Sequence, residues 1–140
     1  MILVAAVAAL CHGDGARRCD TLFARHLQKK NKIEWSLFEW RRCRDEETIS
    51  DSFYYRRAAD LHRAQRAYEQ AGRALERVFE CVPPGSTAEC RLRLELVRCA
   101  IGRGNYAAAG FELDALDPAV CRLYKTEALY LKALVAAYTF

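Results

Sequence analysis

Apolar residues recur at helical spacing along most of this chain, and short polar breaks separate the runs. Residues 3–10 predict a helix stopped by His12-Gly13-Asp14-Gly15. Cys19, Leu22, Phe23, His26 and Leu27 fall on one face of a second helix over 16–29, giving a first helical hairpin over 1–29. Residues 30–52 are the least regular stretch and read as an irregular insertion. A helix over 33–43 places Ile33, Leu37 and Trp40 on one face and Trp35 and Phe38 on another, and a charged loop follows it. Further helices are expected over 53–66 and 68–81, ended by Pro83-Pro84-Gly85. Ser86 or Thr87 caps the next helix, which runs to Ile101 and stops at Gly102-Arg103-Gly104. A short helix over 107–116 closes at Asp117-Pro118, and one long apolar helix is expected over 119–138.

The pattern repeats. Tyr68 and Ala71 recur 38 residues on as Tyr106 and Ala109, each opening the second helix of a pair. Leu75 and Val78 correspond to Leu113 and Leu116. In the first helices Tyr55, Ala58, Ala59 and His62 shift to Arg93, Leu96, Val97 and Ala100, then to Leu131, Leu134, Val135 and Tyr138. Small residues at Ala71 and Ala109 suit a close approach of two helices, with Tyr68, Leu75, Tyr106 and Leu113 filling the layers beside them.

Gly104-Asn105-Tyr106-Ala107-Ala108-Ala109 resembles the Gly-x-Tyr-x-x-Ala turn of the tetratricopeptide (TPR) repeat. Leu131-x-x-Leu134-Val135-x-x-Tyr138 is similar to that family's first helix, and Gly13, Cys19 and Phe23 give a weaker copy. The spacing is longer than the family's usual ~34 residues. The expected fold is all-α: a TPR-like α-solenoid of about three helix-turn-helix repeats plus a C-terminal helix. The domain plan is a single domain over 1–140, with repeats over 53–85 and 86–118 and the first helix of a fourth repeat, or a cap, over 119–140. The order of apolar hairpin, insertion and two helix pairs also resembles the N-terminal region of subunit seven of the anaphase-promoting complex. That likeness implies a self-associating scaffold subunit of a ubiquitin ligase, acting in the cell cycle.

Composition agrees with a packed helical chain. It is 140 residues long, 52% hydrophobic and 29% charged, with three prolines and seven glycines. The net charge of +4 is dispersed among glutamates, so no nucleic-acid partner is expected. Seven cysteines, an odd number with no CxxC spacing, suit reduced thiols in a cytoplasmic or nuclear protein. The apolar residues 1–11 are too short to span a bilayer and lack a preceding positive charge, so no membrane partner is expected and an exported chain with a cleaved leader is the lesser alternative.

The function expected is non-catalytic: a protein–protein interaction scaffold or adaptor that binds protein partners as a homo-oligomer or within a larger complex, with no cofactor. In TPR arrays the first helices line a groove. By resemblance, Phe53, Arg56, Arg57, Asp60, Arg63, Arg91, Leu94, Glu95 and Arg98 would line it here, and Arg56, Arg57, Arg63, Arg91 and Arg98 would hold an acidic peptide. The competing reading is a solvated face of ion pairs. Both ends look unfinished. Ile2, Leu3, Val4, Val7 and Leu10 carry no charge, and residues 129–140 carry only Lys132. Self-association through these faces, or continuation of the array, would cover them, unless the helix over 33–43 folds back on the first. The other class considered is a small Cys/His-dependent metal-binding regulator or enzyme using Cys11, His12, Cys19 and His26, whose spacing fits no metal template. His62 is expected to be packed between repeats, and no catalytic constellation stands out.

Overall fold

The computed structural model describes residues 18–139, and among them every regular element is a helix. The fold is all-α. The chain divides into two compact units, one ending at Ser50 and the other beginning at Asp51.

In the first unit, α1 (Thr21–Lys29) pairs with α2 (Ile33–Asp45). Helix α1 starts later than expected because Asp20 caps it, its carboxylate accepting the N–H groups of Leu22 and Phe23 at 2.9 and 3.1 Å. Cys19 therefore precedes the helix. Ala24 and Leu27 face the core, while Leu22 and His26, expected on the apolar face, are exposed. The seam is tight: the Ser36 hydroxyl donates to the Ala24 carbonyl at 2.8 Å. Glu39 is buried but satisfied, accepting from the Asp20 N–H at 2.7 Å and from Arg42 at 3.2 Å. The stretch read as an irregular insertion thus contains the longer helix of this hairpin. Trp40 and Cys43 are fully buried on it along with Ser36, and Phe38 is exposed. The helix expected over 3–10, and with it Ile2, Leu3, Val4, Val7 and Leu10, lies outside the described residues.

The second unit runs α3 (Asp51–Ala64), α4 (Tyr68–Phe79), α5 (Thr87–Gly102), α6 (Tyr106–Asp114), a 3₁₀ turn (Arg122–Tyr124) and α7 (Lys125–Tyr138). Each helix packs on the next, and α7 also meets α5. The single helix expected over 119–138 is broken. The Cys121 N–H donates to the Asp117 carbonyl at 2.8 Å, closing a turn, the Cys121 sulfur is bonded to Cys90, and a 3₁₀ turn follows before α7 begins at Lys125.

Burial follows the 38-residue shift at part of the expected positions: Val78 is buried where Leu116 is half-buried, and His62, Ala100 and Tyr138 are half-buried, buried and exposed. Ala71 and Ala109 are both wholly inaccessible, Leu75 and Leu113 are each 2% exposed, and Ala59, Val97 and Val135 are all buried. The paired tyrosines also behave alike. Tyr68 lies on the C-terminal end of α5, where a Cβ at Gly102 would sit only 2.7 Å from its ring. Tyr106 stacks on Tyr138 at the C-terminal end of α7, with ring centroids 5.1 Å apart. Leu94, expected in the groove, is 1% exposed and belongs to the core with Val97, Leu113 and Leu131.

Four helices end in the same way. Asn31, Glu47, Arg66 and Gly104 take φ of 59°, 57°, 60° and 76°. The residue after each donates to the carbonyl five positions back: Lys32 to Leu27, Thr48 to Cys43, Ala67 to His62 and Asn105 to Ala100. This is the Schellman closure, which satisfies carbonyls the helix leaves open. Arg66 stands 38 residues before Gly104, so an arginine occupies the left-handed position that glycine fills in the next repeat. A left-handed non-glycine residue costs roughly 1–2 kcal/mol. Arg66→Gly should therefore stabilise the fold by about 0.5–1 kcal/mol after the added unfolded-state entropy of glycine. Urea denaturation checks this, and a loss of stability would contradict the assigned closure.

Candidate interaction surfaces

The arginines expected in the groove arrive on helices that pack side by side. Arg56 of α3 pairs with Glu95 of α5, and Arg98 of α5 pairs with Glu127 of α7 at 2.5 Å. These two bridges link the three first-position helices in sequence. Arg63 meets Asp60 one turn away at 3.1 Å, and Arg57 lies 5.1 Å over the Phe53 ring. Arg91 is exposed on α5. A carboxylate ligand would have to displace Glu95, Glu127 or Asp60 to reach three of these five guanidinium groups. Partly exposed pairs contribute little each, about 0–1 kcal/mol, so displacement is feasible but earns no large gain.

A second electrostatic cluster was not anticipated. Arg93 of α5 binds Glu89 at 3.1 Å and Glu112 of α6 at 3.0 Å, and its guanidinium lies 5.0 Å from the centre of the Phe79 ring. It therefore ties α4, α5 and α6 together. Its only sequence signal is the i, i+4 spacing from Glu89. Glu89 itself closes the N-terminus of α5. Its N–H donates to the Ser86 hydroxyl at 3.2 Å, and its carboxylate accepts the Gly85 N–H at 2.6 Å. The Gly85 hydrogen bond, then Arg93, hold the Glu89 carboxyl below the usual carboxylate range. A depressed folded-state pKa adds stability above the unfolded value and loses it as pH falls through the folded one.

An open depression of ≈ 400 Å³ lies on α3 and α4, lined by Tyr55, Ala58, His62, Gln70, Arg73 and Arg77 among others. None of the expected groove arginines reaches it. Arg77 lies 4.9 Å over the Tyr55 ring, and Arg73 pairs with Glu69 at 2.7 Å. His62 is half-buried at its rim, not packed out of reach between repeats.

The described cysteines depart from the expected reduced set. Cys19 is bonded to Cys43 and Cys90 to Cys121, while Cys81 is a free exposed thiol and Cys99 a free buried one. Burial pushes the Cys99 thiol up, which keeps it protonated and unreactive. The pairing also removes Cys19 from the Cys/His set considered for a metal. His26 is exposed, Cys11 and His12 lie outside the described residues, and no cluster of three or more metal-ligating side chains occurs among those described.

Large apolar side chains exposed in the second unit concentrate toward its C-terminal end. Phe111, Leu123, Leu129, Tyr130 and Tyr138 are 74%, 84%, 55%, 64% and 61% exposed. On α7, Leu129, Tyr130, Ala133, Ala136 and Ala137 are all exposed at i, i+3 and i+4 intervals, forming an apolar stripe opposite the buried Ala128, Leu131 and Val135.

No protein family, curated protein or solved structure matches this chain. Among the described residues, no helix is long and apolar enough to cross a membrane.

Proposed function

We propose that the chain is a non-catalytic helical-repeat scaffold that associates through the outer face of α7, with a second copy of itself as the first partner. The observation that carries this reading is the apolar stripe on α7, exposed opposite the face that Ala128, Leu131 and Val135 bury in the core. Each buried leucine-sized side chain is worth about 1.5–3 kcal/mol, so the stripe can drive association once entropy costs are met. The arginine face of α3 and α5 offers a secondary surface for acidic segments, tempered by its existing ion pairs.

Light scattering of the full chain over a dilution series tests it. The wild type should shift from dimer or higher species to monomer on dilution. Leu129→Glu combined with Tyr130→Glu should weaken association at least about tenfold, since losing one anchor alone exceeds ~1.4 kcal/mol. Both positions are exposed, so the melting temperature measured at monomeric dilution should hold. A monomer at every concentration would overturn the self-association.

A further inference from the structure

Each disulfide closes the open end of one helical hairpin. Helices α1 and α2 are joined by the turn at residues 30–32, and Cys19–Cys43 ties them at the opposite end, with Cα atoms 5.0 Å apart. Helices α5 and α6 are joined at residues 103–105. Cys90–Cys121 ties the first turn of α5 to the segment that follows α6, with Cα atoms 5.6 Å apart. Both separations lie within the ~4.4–6.8 Å that a disulfide spans. The two bonds lie in different compact units and use different sequence spacings, so they are independent observations. Cys43, Cys90 and Cys121 are buried, which shields the bonds from attacking thiolates once the fold is complete. Neither pair has a third ligand nearby to make a metal site, among the described residues.

We infer that this chain folds and works in an oxidising compartment, with Cys19–Cys43 and Cys90–Cys121 as permanent structural bonds. Stable protein disulfides belong to exported, lumenal or periplasmic settings, where the thiol pool does not reduce them. Each bond forms when two thiols give up two protons and two electrons. A disulfide oxidoreductase accepts them by thiol–disulfide exchange through a mixed disulfide and leaves as the dithiol. This inference stands apart from the scaffold reading, because it does not depend on what α7 binds. It does bear on the narrower likeness: a nuclear ubiquitin-ligase subunit lives among reduced thiols.

The test is thiol trapping in the cells that make the protein. Cells are quenched in a denaturing alkylating reagent, the full chain is recovered, reduced, labelled with a second reagent, and mapped by mass spectrometry. Cys99 serves as the internal control, because it is buried like Cys43, Cys90 and Cys121 yet free. The expected result is that Cys81 and Cys99 take the first label, while Cys19, Cys43, Cys90 and Cys121 take only the second. Non-reducing digestion should yield the 19–43 and 90–121 cross-linked peptides. First-label uptake at those four cysteines would overturn the inference, as would cross-links in any other pairing.

Discussion

Replacing Cys90 and Cys121 together by alanine should lower the unfolding free energy by roughly 3–4 kcal/mol. The bond closes a loop with a sequence separation of 31, and chain-entropy arguments place the stabilisation of such a loop in that range. The structural route is specific. The bond anchors the segment between α6 and α7 to the first turn of α5, beside the core cluster of Leu94, Val97, Leu113 and Leu131. Without it, residues 115–124 are tied by the turn at Asp117, the 3₁₀ turn, and Leu116 and Tyr124 half-buried against the core. Fraying there releases α7 and the apolar stripe it presents. Urea denaturation with and without a membrane-permeant reductant measures the effect. Reduced wild type should lose more than the double variant does, because reduction also opens Cys19–Cys43, whose sequence separation is 24. The variant should still respond to reductant through that remaining bond. If wild type and variant share one midpoint in the absence of reductant, the Cys90–Cys121 bond does not hold this end of the unit.

The second unit was legible in the sequence because its signals are local. Helix spacing, the breaks at Pro83-Pro84-Gly85 and Gly102-Arg103-Gly104, and the cap at Ser86 all sit within a few residues of what they determine. The 38-residue shift was legible for the same reason: Ala71 and Ala109 each follow a tyrosine by three residues and precede a leucine by four, and both are wholly inaccessible. Arg66 hid one turn, since nothing in an arginine announces a left-handed backbone that the Schellman bonds impose. The first unit was harder to read. Its α2 seam rests on Ser36 and Glu39, polar residues that an apolar pattern discounts, and their burial makes sense only once Ala24 and the Asp20 N–H supply partners. The disulfides could not be read at all, because cysteine pairing is decided by which hairpin ends meet in space. The last helix failed too: Cys121 looked like one more apolar residue in a run, and it lies instead in a turn before the 3₁₀ segment, bonded to Cys90. The groove arginines were placed on the expected helices, but the carboxylate partners of Arg56 and Arg98 come from neighbouring helices and were invisible to local spacing.

Leu75→Ala and Leu113→Ala should each cost about 2–5 kcal/mol, and the two costs should agree to within about 1 kcal/mol. Both side chains are 2% exposed, both lie one turn beyond a fully buried alanine, and they are 38 residues apart. Truncation removes the same transfer energy at both sites, so any difference reports how far each cavity collapses. Some asymmetry is built in. Leu113 lies in the cluster completed by Ala128, Leu131 and Val135, whereas Leu75 packs in the layer where α4 meets α3 and α5. Leu129→Ala, at a 55% exposed position of the stripe, is the control and should fall within about 0.5 kcal/mol of wild type when measured as the monomer. Urea denaturation of the three variants supplies the comparison. Matched losses at Leu75 and Leu113 mean that the spacing of 38 marks energetically equivalent layers, each built from a small residue at the helix contact and a large one filling the gap beside it. A loss of several kcal/mol at Leu113 with almost none at Leu75 would reduce the repeat to a coincidence of letters.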